Sequence, residues 1–162
     1  MQHRKHKYLI INTDASFCPH TKVGGYAYWI KTDNLLIKGS GFFKSKVQSP
    51  FDAELKCIIN ALTIVSKQKD VKVDKVIVNT DALHVIRAYR TGKSKLIKLL
   101  RSITFNLKKS IGTNHVIFKH VKAHNGTDTP RKWVNDWCDS NAKSQMRKAR
   151  ELHKTSRRSR KS

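Results

Sequence analysis

Two stretches of this chain are almost identical: Ile-Ile-Asn-Thr-Asp at residues 10–14 and Ile-Val-Asn-Thr-Asp at residues 77–81. Each is an apolar, β-branched run that ends in a carboxylate, which is typical of a buried strand. We predict that both strands bring their aspartates, Asp14 and Asp81, to the same edge of one sheet. Parallel neighbours lie about 4.8 Å apart, so the carboxylates would almost touch. Two such charges at ~4 Å repel by roughly 4 kcal/mol at an effective dielectric constant of ~20, and a bound cation would relieve that repulsion.

The charge balance predicts a polyanionic partner. The 162 residues include 34 Lys and Arg but only 11 Asp and Glu, which gives a formal net charge of +23. Nucleic acid is the partner that best explains this excess. An anionic membrane is the weaker alternative, because no long amphipathic apolar face accompanies the basic runs. We therefore predict nucleic-acid binding and no membrane association.

The domain organisation predicted from composition is simple. Residues 1–6 are a basic lead-in, residues 7–152 form one domain, and residues 153–162 form a disordered basic tail. No apolar run is long enough for a membrane span or a signal peptide, so we expect a cytoplasmic protein, or a nuclear one in a eukaryote. The three cysteines are too scattered for a disulfide framework or a zinc pair. We expect a monomer with reduced thiols and no organic cofactor.

Hydrophobic periodicity predicts the element order β-β-β-α-β-α-α-β-α. The predicted strands are Lys7–Asp14, Tyr26–Lys31, Leu35–Phe43, Lys75–Thr80 and His115–Lys119. Helices are predicted from Ser49-Pro50 onwards, from about Ala82 to Tyr89, and over Lys95–Lys109 and Trp133–Leu152. The first three strands form an antiparallel meander, and strands one, four and five are parallel because helices connect them. The fold class is therefore α/β: a mixed five-stranded sheet flanked by helices.

Two further carboxylates, on predicted helices, are candidates for the same site. Glu54 lies three residues after Phe51 and four before Ile58, beside the apolar stripe of the first helix. An ionised Glu there is costly unless it is paired or bound to a metal; the alternative is a side chain that reaches past the core to water or to a lysine. On the last helix Asp139 is the candidate, and Asp136 competes with it.

Taken together, these residues resemble a known family. Asp14, Glu54, Asp81 and Asp139, in this order, look like the Asp-Glu-Asp-Asp set of the type 1 ribonuclease H family. The likeness covers about residues 7–150. Its motifs are Thr13–Ser16, Gly24–Ala27, Ala53–Leu55 with Ala61-Leu62, Thr80-Asp81, Val121–Gly126 and Asn135–Ala142. Each motif is weak alone, but the order and intervals are specific.

The resemblance implies an RNase H-like fold and a metal-dependent endonuclease. It implies that the four carboxylates bind two Mg²⁺ ions, with Mn²⁺ as a substitute, and that His124 assists proton transfer or product release. The implied reaction is hydrolysis of the RNA strand of RNA/DNA hybrids, leaving a 3′ hydroxyl and a 5′ phosphate. Candidate nucleic-acid contacts are Ser16, Ser49, Lys93, Lys95, Lys122, Asn125, Arg131 and Lys132.

Three departures from the family pattern keep other substrates open. The usual Thr-Asn-x-x-x-Glu is Ser-Pro-Phe-Asp-Ala-Glu at residues 49–54, so the Asn that helps to sense the RNA strand is absent. Residues 127–132 look inserted. The family's basic protrusion is not recognisable, although the lysines of residues 92–109 supply charge that contacts nucleic acid or only solvates a helix.

The alternatives are a nuclease of this fold that acts on DNA or structured RNA, and a catalytically silent nucleic-acid-binding module. The four carboxylates argue against the silent module, because a ligand of polyanions gains nothing from clustered negative charge. The basic run Arg147–Lys161 is either a clamp on the phosphate backbone or a solvated charge run. A clamp that contributes to ~6–10 phosphate contacts predicts that affinity falls by roughly 10³–10⁵ between 50 and 200 mM salt.

Overall fold

The computed structural model describes residues 6–113, 115–121 and 129–160. The predicted site residues Lys122, His124 and Asn125 lie outside the described residues. The elements in chain order are β1 (His6–Cys18), β2 (Val23–Lys31), β3 (Leu36–Phe42), α1 (Pro50–Ser66), β4 (Val73–Thr80), α2 (Leu83–Thr91), α3 (Lys95–Ser110), β5 (His115–His120) and α4 (Pro130–Arg160).

The five strands form one mixed sheet in the order β3-β2-β1-β4-β5. β1, β2 and β3 pair antiparallel, whereas β1, β4 and β5 pair parallel, as the sequence predicted. In the parallel ladder Asn12 is the partner of Asn79, so the two Asn-Thr-Asp sequences lie side by side in register. This register brings Asp14 and Asp81 to one edge of the sheet.

Helices cover both faces of the sheet. Ile30 of β2 belongs to the main core, which also includes buried residues of α1 and α3, such as Leu62 and Leu100. The preceding residue, Trp29, packs instead with Cys138 of α4. Because successive side chains of a strand point to opposite faces, α4 lies on the face opposite α1.

The first helix begins where the sequence predicted. The Ser49 hydroxyl oxygen accepts a hydrogen bond from the Asp52 amide at 3.1 Å, and Pro50 occupies the first turn. Ala53, Leu55 and Ile58 are fully buried. This cap fixes where α1 starts and therefore where Glu54 lies relative to the sheet.

β1 is longer than predicted. It continues beyond Asp14 to Cys18, and Gly24-Gly25, which precede the predicted strand Tyr26–Lys31, are paired within β2. A Cβ atom on Gly25 would lie 2.3 Å from the Ala142 carbonyl oxygen. The glycine therefore allows α4 to pack directly on the hairpin, a contact that local sequence patterns do not reveal.

α4 is also longer than predicted, at both ends. It begins at Pro130, so Arg131 and Lys132 lie in its first turn rather than in a loop. It continues through Arg160, so the prediction of a disordered tail is wrong for residues 153–160. No Gly or Pro occurs after Pro130 to end the helix, and the basic residues near its C-terminus favour the helix dipole. Within the described part of the chain, no helix is both long and apolar enough to cross a membrane.

Candidate active site

Two carboxylates from different elements share one backbone donor. The amide of Ala15 in β1 donates to Asp14 Oδ1 at 2.9 Å and to Glu54 Oε1 at 3.1 Å. The parallel pairing of β1 with β4 ends at Asn12, whereas β1 itself continues. Asp14 therefore stands just past the end of the ladder, where Glu54 can reach it from α1.

Asp81 joins this pair from the end of β4. Its position is fixed by a turn in which the Thr80 hydroxyl oxygen accepts from the Ala82 amide at 3.1 Å. One carboxylate oxygen from each of Asp14, Glu54 and Asp81 lies within 4.8 Å of the others. Three distant parts of the sequence thus supply one acidic cluster.

Burial and mutual repulsion raise the pKa values of this cluster. Burial is the main cause, with the charges of Asp81 and Asp139 in second place, and together they raise the pKa of Asp14 to about 7. Burial and the neighbouring charges of Asp14 and Asp81 raise the pKa of Glu54 well above its usual range. The pKa of Asp81 is also raised, chiefly by burial. The cluster therefore resists carrying its full negative charge without a counterion.

The last helix brings Asp139 beside Asp14. Asp139 and Asp136 both line a cavity of 60 Å³ with Asp14 and Asp81. The charge of Asp139 contributes to the raised pKa of Asp14. The Asp136 carboxylate is more exposed, at 58% against 44% for Asp139, and pairs with Lys132 at 2.9 Å. Of the two helical candidates, Asp139 therefore acts more directly on the cluster.

The matches to known proteins agree with this arrangement. A sequence profile of the RNase H family, described as RNase H, matches residues 6–147. The chain belongs to the RNase H family. Comparison with the curated proteins found no sequence match. Membership of this family supports a nuclease.

Solved structures share the fold of this RNase H family member. LC11-RNase H1 in complex with an RNA/DNA hybrid has a TM-score of 0.65 at 17% identity, over 87% of this chain and 98% of that one. The N-terminal RNase H domain of a Mycobacterium tuberculosis protein, fused to maltose-binding protein, has a TM-score of 0.67 at 13% identity, over 90% and 98%. RNase H1 of the archaeon Halobacterium salinarum has a TM-score of 0.59 at 12% identity, over 87% and 98%.

The acidic cluster of this RNase H family member fits a hard divalent cation. Such cations prefer oxygen ligands, and the cluster offers three carboxylates from Asp14, Glu54 and Asp81. The Oε2 atom of Glu54 is buried and has no hydrogen-bond partner among the described residues. A buried, unpartnered carboxylate oxygen is costly, and a cation would satisfy it.

The predicted nucleic-acid contacts fall in several places. Ser16 lies two residues beyond Asp14 on β1, and the hydroxyl oxygen of Ser49 caps α1. Lys93 and Lys95 are exposed at the connection between α2 and α3. At the start of α4, Arg131 lines a groove with Trp133, and Lys132 pairs with Asp136 beside the cavity.

Sequence reasoning missed side chains that hold the site together. The side-chain amide of Asn79 donates a hydrogen bond to Asn12 Oδ1 at 3.2 Å, which links the two strands that carry Asp14 and Asp81. The thiol of Cys57 donates to the Asp14 carbonyl oxygen at 3.4 Å and so ties α1 to β1. The signal for the asparagines was the repeated Asn-Thr-Asp. No sequence pattern marked Cys57.

Another missed residue is Lys143. It pairs with Asp139 at 2.9 Å, one helical turn along α4, and this contact raises the pKa of Lys143. The i, i+4 spacing was visible in the sequence. The sequence does not show that this pair lies beside the acidic cluster, because that depends on which side of α4 faces the cluster.

Proposed function

We propose that this protein is a metal-dependent endoribonuclease that hydrolyses the RNA strand of RNA/DNA hybrids. The observation that carries the proposal is the convergence of Asp14, Glu54 and Asp81 within 4.8 Å in a member of the RNase H family. A net charge of +23 supports a polyanionic substrate. A related fold, LC11-RNase H1, has been solved with an RNA/DNA hybrid, which supports the same substrate here.

In this proposal two Mg²⁺ ions, or Mn²⁺ in their place, bind to Asp14, Glu54, Asp81 and Asp139. When bound, such ions activate a water and stabilise the leaving 3′ oxygen of a phosphodiester. The protein's own part is to orient the ligands: the Ala15 amide holds Asp14 and Glu54 together.

In the same proposal, a lysine beside the carboxylates reduces the repulsion between the site and an anionic substrate. Lys143 lies 2.9 Å from Asp139, so it offsets part of the negative charge that a phosphate would meet. His124, outside the described residues, is assigned to proton transfer or product release from the family resemblance alone. Products carry a 3′ hydroxyl and a 5′ phosphate. We further propose that the enzyme acts as a monomer in the cytoplasm, or in the nucleus of a eukaryote.

A second candidate is cleavage of DNA or structured RNA by the same site. The observation that favours it lies at the start of α1, where the family's usual Asn is missing. There Pro50 occupies the Asn position and has no side-chain amide, and the nearby Asp52 accepts from the Gln48 amide at 3.0 Å and pairs with Lys56. Without this Asn, the start of α1 lacks one side chain that would help to distinguish RNA from DNA.

One cleavage assay tests the proposal. Labelled RNA/DNA hybrid, double-stranded RNA, and single- and double-stranded DNA are incubated with Mg²⁺, Mn²⁺ or EDTA. We expect cleavage of the hybrid that EDTA abolishes and that Asp81→Asn lowers at least about a hundredfold. The matched control is Asp70→Asn, an exposed aspartate between α1 and β4, which should leave the rate unchanged.

The other outcomes of the assay identify the alternatives. Cleavage of every substrate except the hybrid would replace the proposal with the second candidate. Absence of metal-dependent cleavage on all four substrates, together with retained binding, would leave a silent binding module.

A further inference from the structure

The C-terminal part of α4 carries a row of basic side chains, of which the proposed chemistry uses only Lys143. Residues 147–160 contain seven Lys and Arg and one acidic residue, Glu151. An α-helix turns by about 100° per residue, so spacings of three and four residues place side chains in one row. The row consists of Lys143, Arg147, Arg150, Lys154, Arg157 and Arg158, which we call the basic stripe.

The basic stripe lies on the same side of α4 as Asp139. Asp139 precedes Lys143 by four residues, so it lies in the same row, and the two side chains pair at 2.9 Å. The row covers an arc of about 100° around the helix. The stripe therefore starts at the carboxylate beside Asp14 and continues along the same side of α4.

Packing does not explain the outer part of this stripe. The buried residues of α4 are Cys138, Ala142 and Ala149, and all of them precede residue 150. Arg157 and Arg158 are exposed and form no ion pair among the described residues. In this outer part, Lys154 pairs with Glu151 at 3.4 Å. Like charges concentrated along one side repel one another, so an anionic partner would stabilise them.

The stripe leaves the body of the protein at the edge of the sheet that carries the carboxylates. Phe42 of β3 pairs with Gly25, which pairs with Ser16, two residues beyond Asp14. Phe42 also lines a groove with Arg147 and Leu152 of α4. The helix therefore passes the end of β3 at this edge before it extends into solvent.

The length of the stripe sets the size of the ligand. From Asp139 to Arg160 the helix axis rises about 32 Å, at 1.5 Å per residue. Phosphates along one strand of a duplex are about 3.4 Å apart, so this length corresponds to about nine nucleotides. A helix that binds a membrane surface needs a broad apolar face, and Leu152 is the only large apolar residue in residues 150–160. The chemistry thus favours nucleic acid over a lipid surface.

We propose that the basic stripe binds the phosphate backbone of a duplex that extends from the active site by about nine nucleotides. The position of the duplex rests on the proposed function, because the cut site anchors one end. The stripe then serves to hold long substrates, and short ones do not reach its outer residues.

A charge-neutralised variant tests this proposal in the full-length chain. Lys154→Gln/Arg157→Gln/Arg158→Gln removes three charges and keeps good helix formers. The matched control, Lys7→Gln/Lys67→Gln/Lys69→Gln, removes three exposed lysines. Lys67 and Lys69 follow the end of α1 and precede β4, whose opposite end leads to Asp81. Circular dichroism verifies that both variants keep their helix content.

Binding is measured by fluorescence anisotropy in EDTA, so that no cleavage occurs. The probes are a 24-base-pair RNA/DNA hybrid and an 8-base-pair hairpin-closed hybrid, at 50 to 200 mM salt. For the long probe we expect the stripe variant to lose roughly 10- to 100-fold in affinity, and its salt slope to fall by about 2–3. For the short probe, and for the control variant on either probe, affinity should stay within about twofold of the parent.

Several results would overturn the proposal. These are an equal loss in the stripe and control variants, an equal loss on long and short probes, or unchanged binding of both. Sedimentation with vesicles containing phosphatidylserine tests the membrane alternative: loss of vesicle binding with intact duplex binding also rejects the proposal. Because the readout is binding in EDTA, a failure to cleave hybrid in the earlier assay would not decide this one.

Discussion

The two halves of α4 differ in composition and in environment. The inner half, residues 130–149, packs on the sheet. Trp29 of β2 contacts Trp133 and Trp137 edge to face, with distances of 5.3 and 5.4 Å between the ring centroids. The outer half, residues 150–160, is largely exposed. Packing of the inner half against the sheet therefore positions Asp139, a catalytic candidate. The exposed basic side chains of the outer half can instead bind an anionic partner. Three of the predictions below test this division of α4, and one tests the titration of Asp14, whose pKa the charge of Asp139 on the inner half helps to raise.

The largest effect should come from the inner half, at Asp139. Asp139→Asn removes the carboxylate beside Asp14, and we expect cleavage of the hybrid to fall by about a hundredfold, equivalent to roughly 2.7 kcal/mol. Asp136→Asn, three residues earlier and paired with Lys132, should keep activity within about twofold. Steady-state kinetics with Mg²⁺ compares them. If Asp136→Asn were the damaging change, the side of α4 that faces the acidic cluster would be wrongly assigned.

The next effect should come from the contact that seats the inner half. Gly25→Ala adds a Cβ that would lie 2.3 Å from the Ala142 carbonyl oxygen and 2.4 Å from the Met146 amide. We expect the free energy of unfolding to fall by about 1–3 kcal/mol, because backbone must move to make room. Urea denaturation measures it. Ser156→Ala in the outer half is the control, and a similar loss there would contradict the division of α4 into two halves.

A smaller effect should appear in the pH dependence of the metal-free protein. The folded pKa of Asp14 is about 7, against about 3.9 in an unfolded chain. Between these values the folded state keeps a proton that the unfolded chain releases, so stability falls as pH rises from about 4 to about 7. Asp14→Asn removes this titration, so its melting temperature relative to the parent should increase by roughly 3 °C from pH 6 to pH 7 in EDTA.

Thermal melts at several pH values, with and without Mg²⁺, check this expectation. The cation should narrow the difference, because it stabilises the ionised carboxylates of the parent. A pH-independent difference between Asp14→Asn and the parent would mean that the Asp14 carboxyl does not titrate in this range.

The smallest effect on stability should come from deleting the end of the outer half. Removal of residues 153–162 takes away only exposed or half-exposed described side chains, so the free energy of unfolding should change by no more than about 0.5 kcal/mol. Urea denaturation compares this truncation with the parent. A larger loss would show that the outer half supports the body, and would leave the basic stripe with a structural role.

Much of the fold was predictable because it depends on local patterns. β-branched runs predicted the strands of the parallel ladder, and the Ser49-Pro50 pair predicted the start of α1, which the structure confirms. The end of β1 and both ends of α4 were not predicted. Ala15 to Cys18 remain extended because β2 pairs with them, and α4 continues because nothing in its sequence stops it.

The sequence by itself determined which side chains are available: two Asn-Thr-Asp strands in parallel register, a glutamate beside an apolar helical stripe, and a large excess of basic charge. Only the tertiary structure decided how they combine. The shared Ala15 amide, the closer approach of Asp139 than of Asp136, and the need for glycine at position 25 are contacts between residues far apart in the chain. Local patterns report how one segment folds, whereas these distances depend on how several segments pack together.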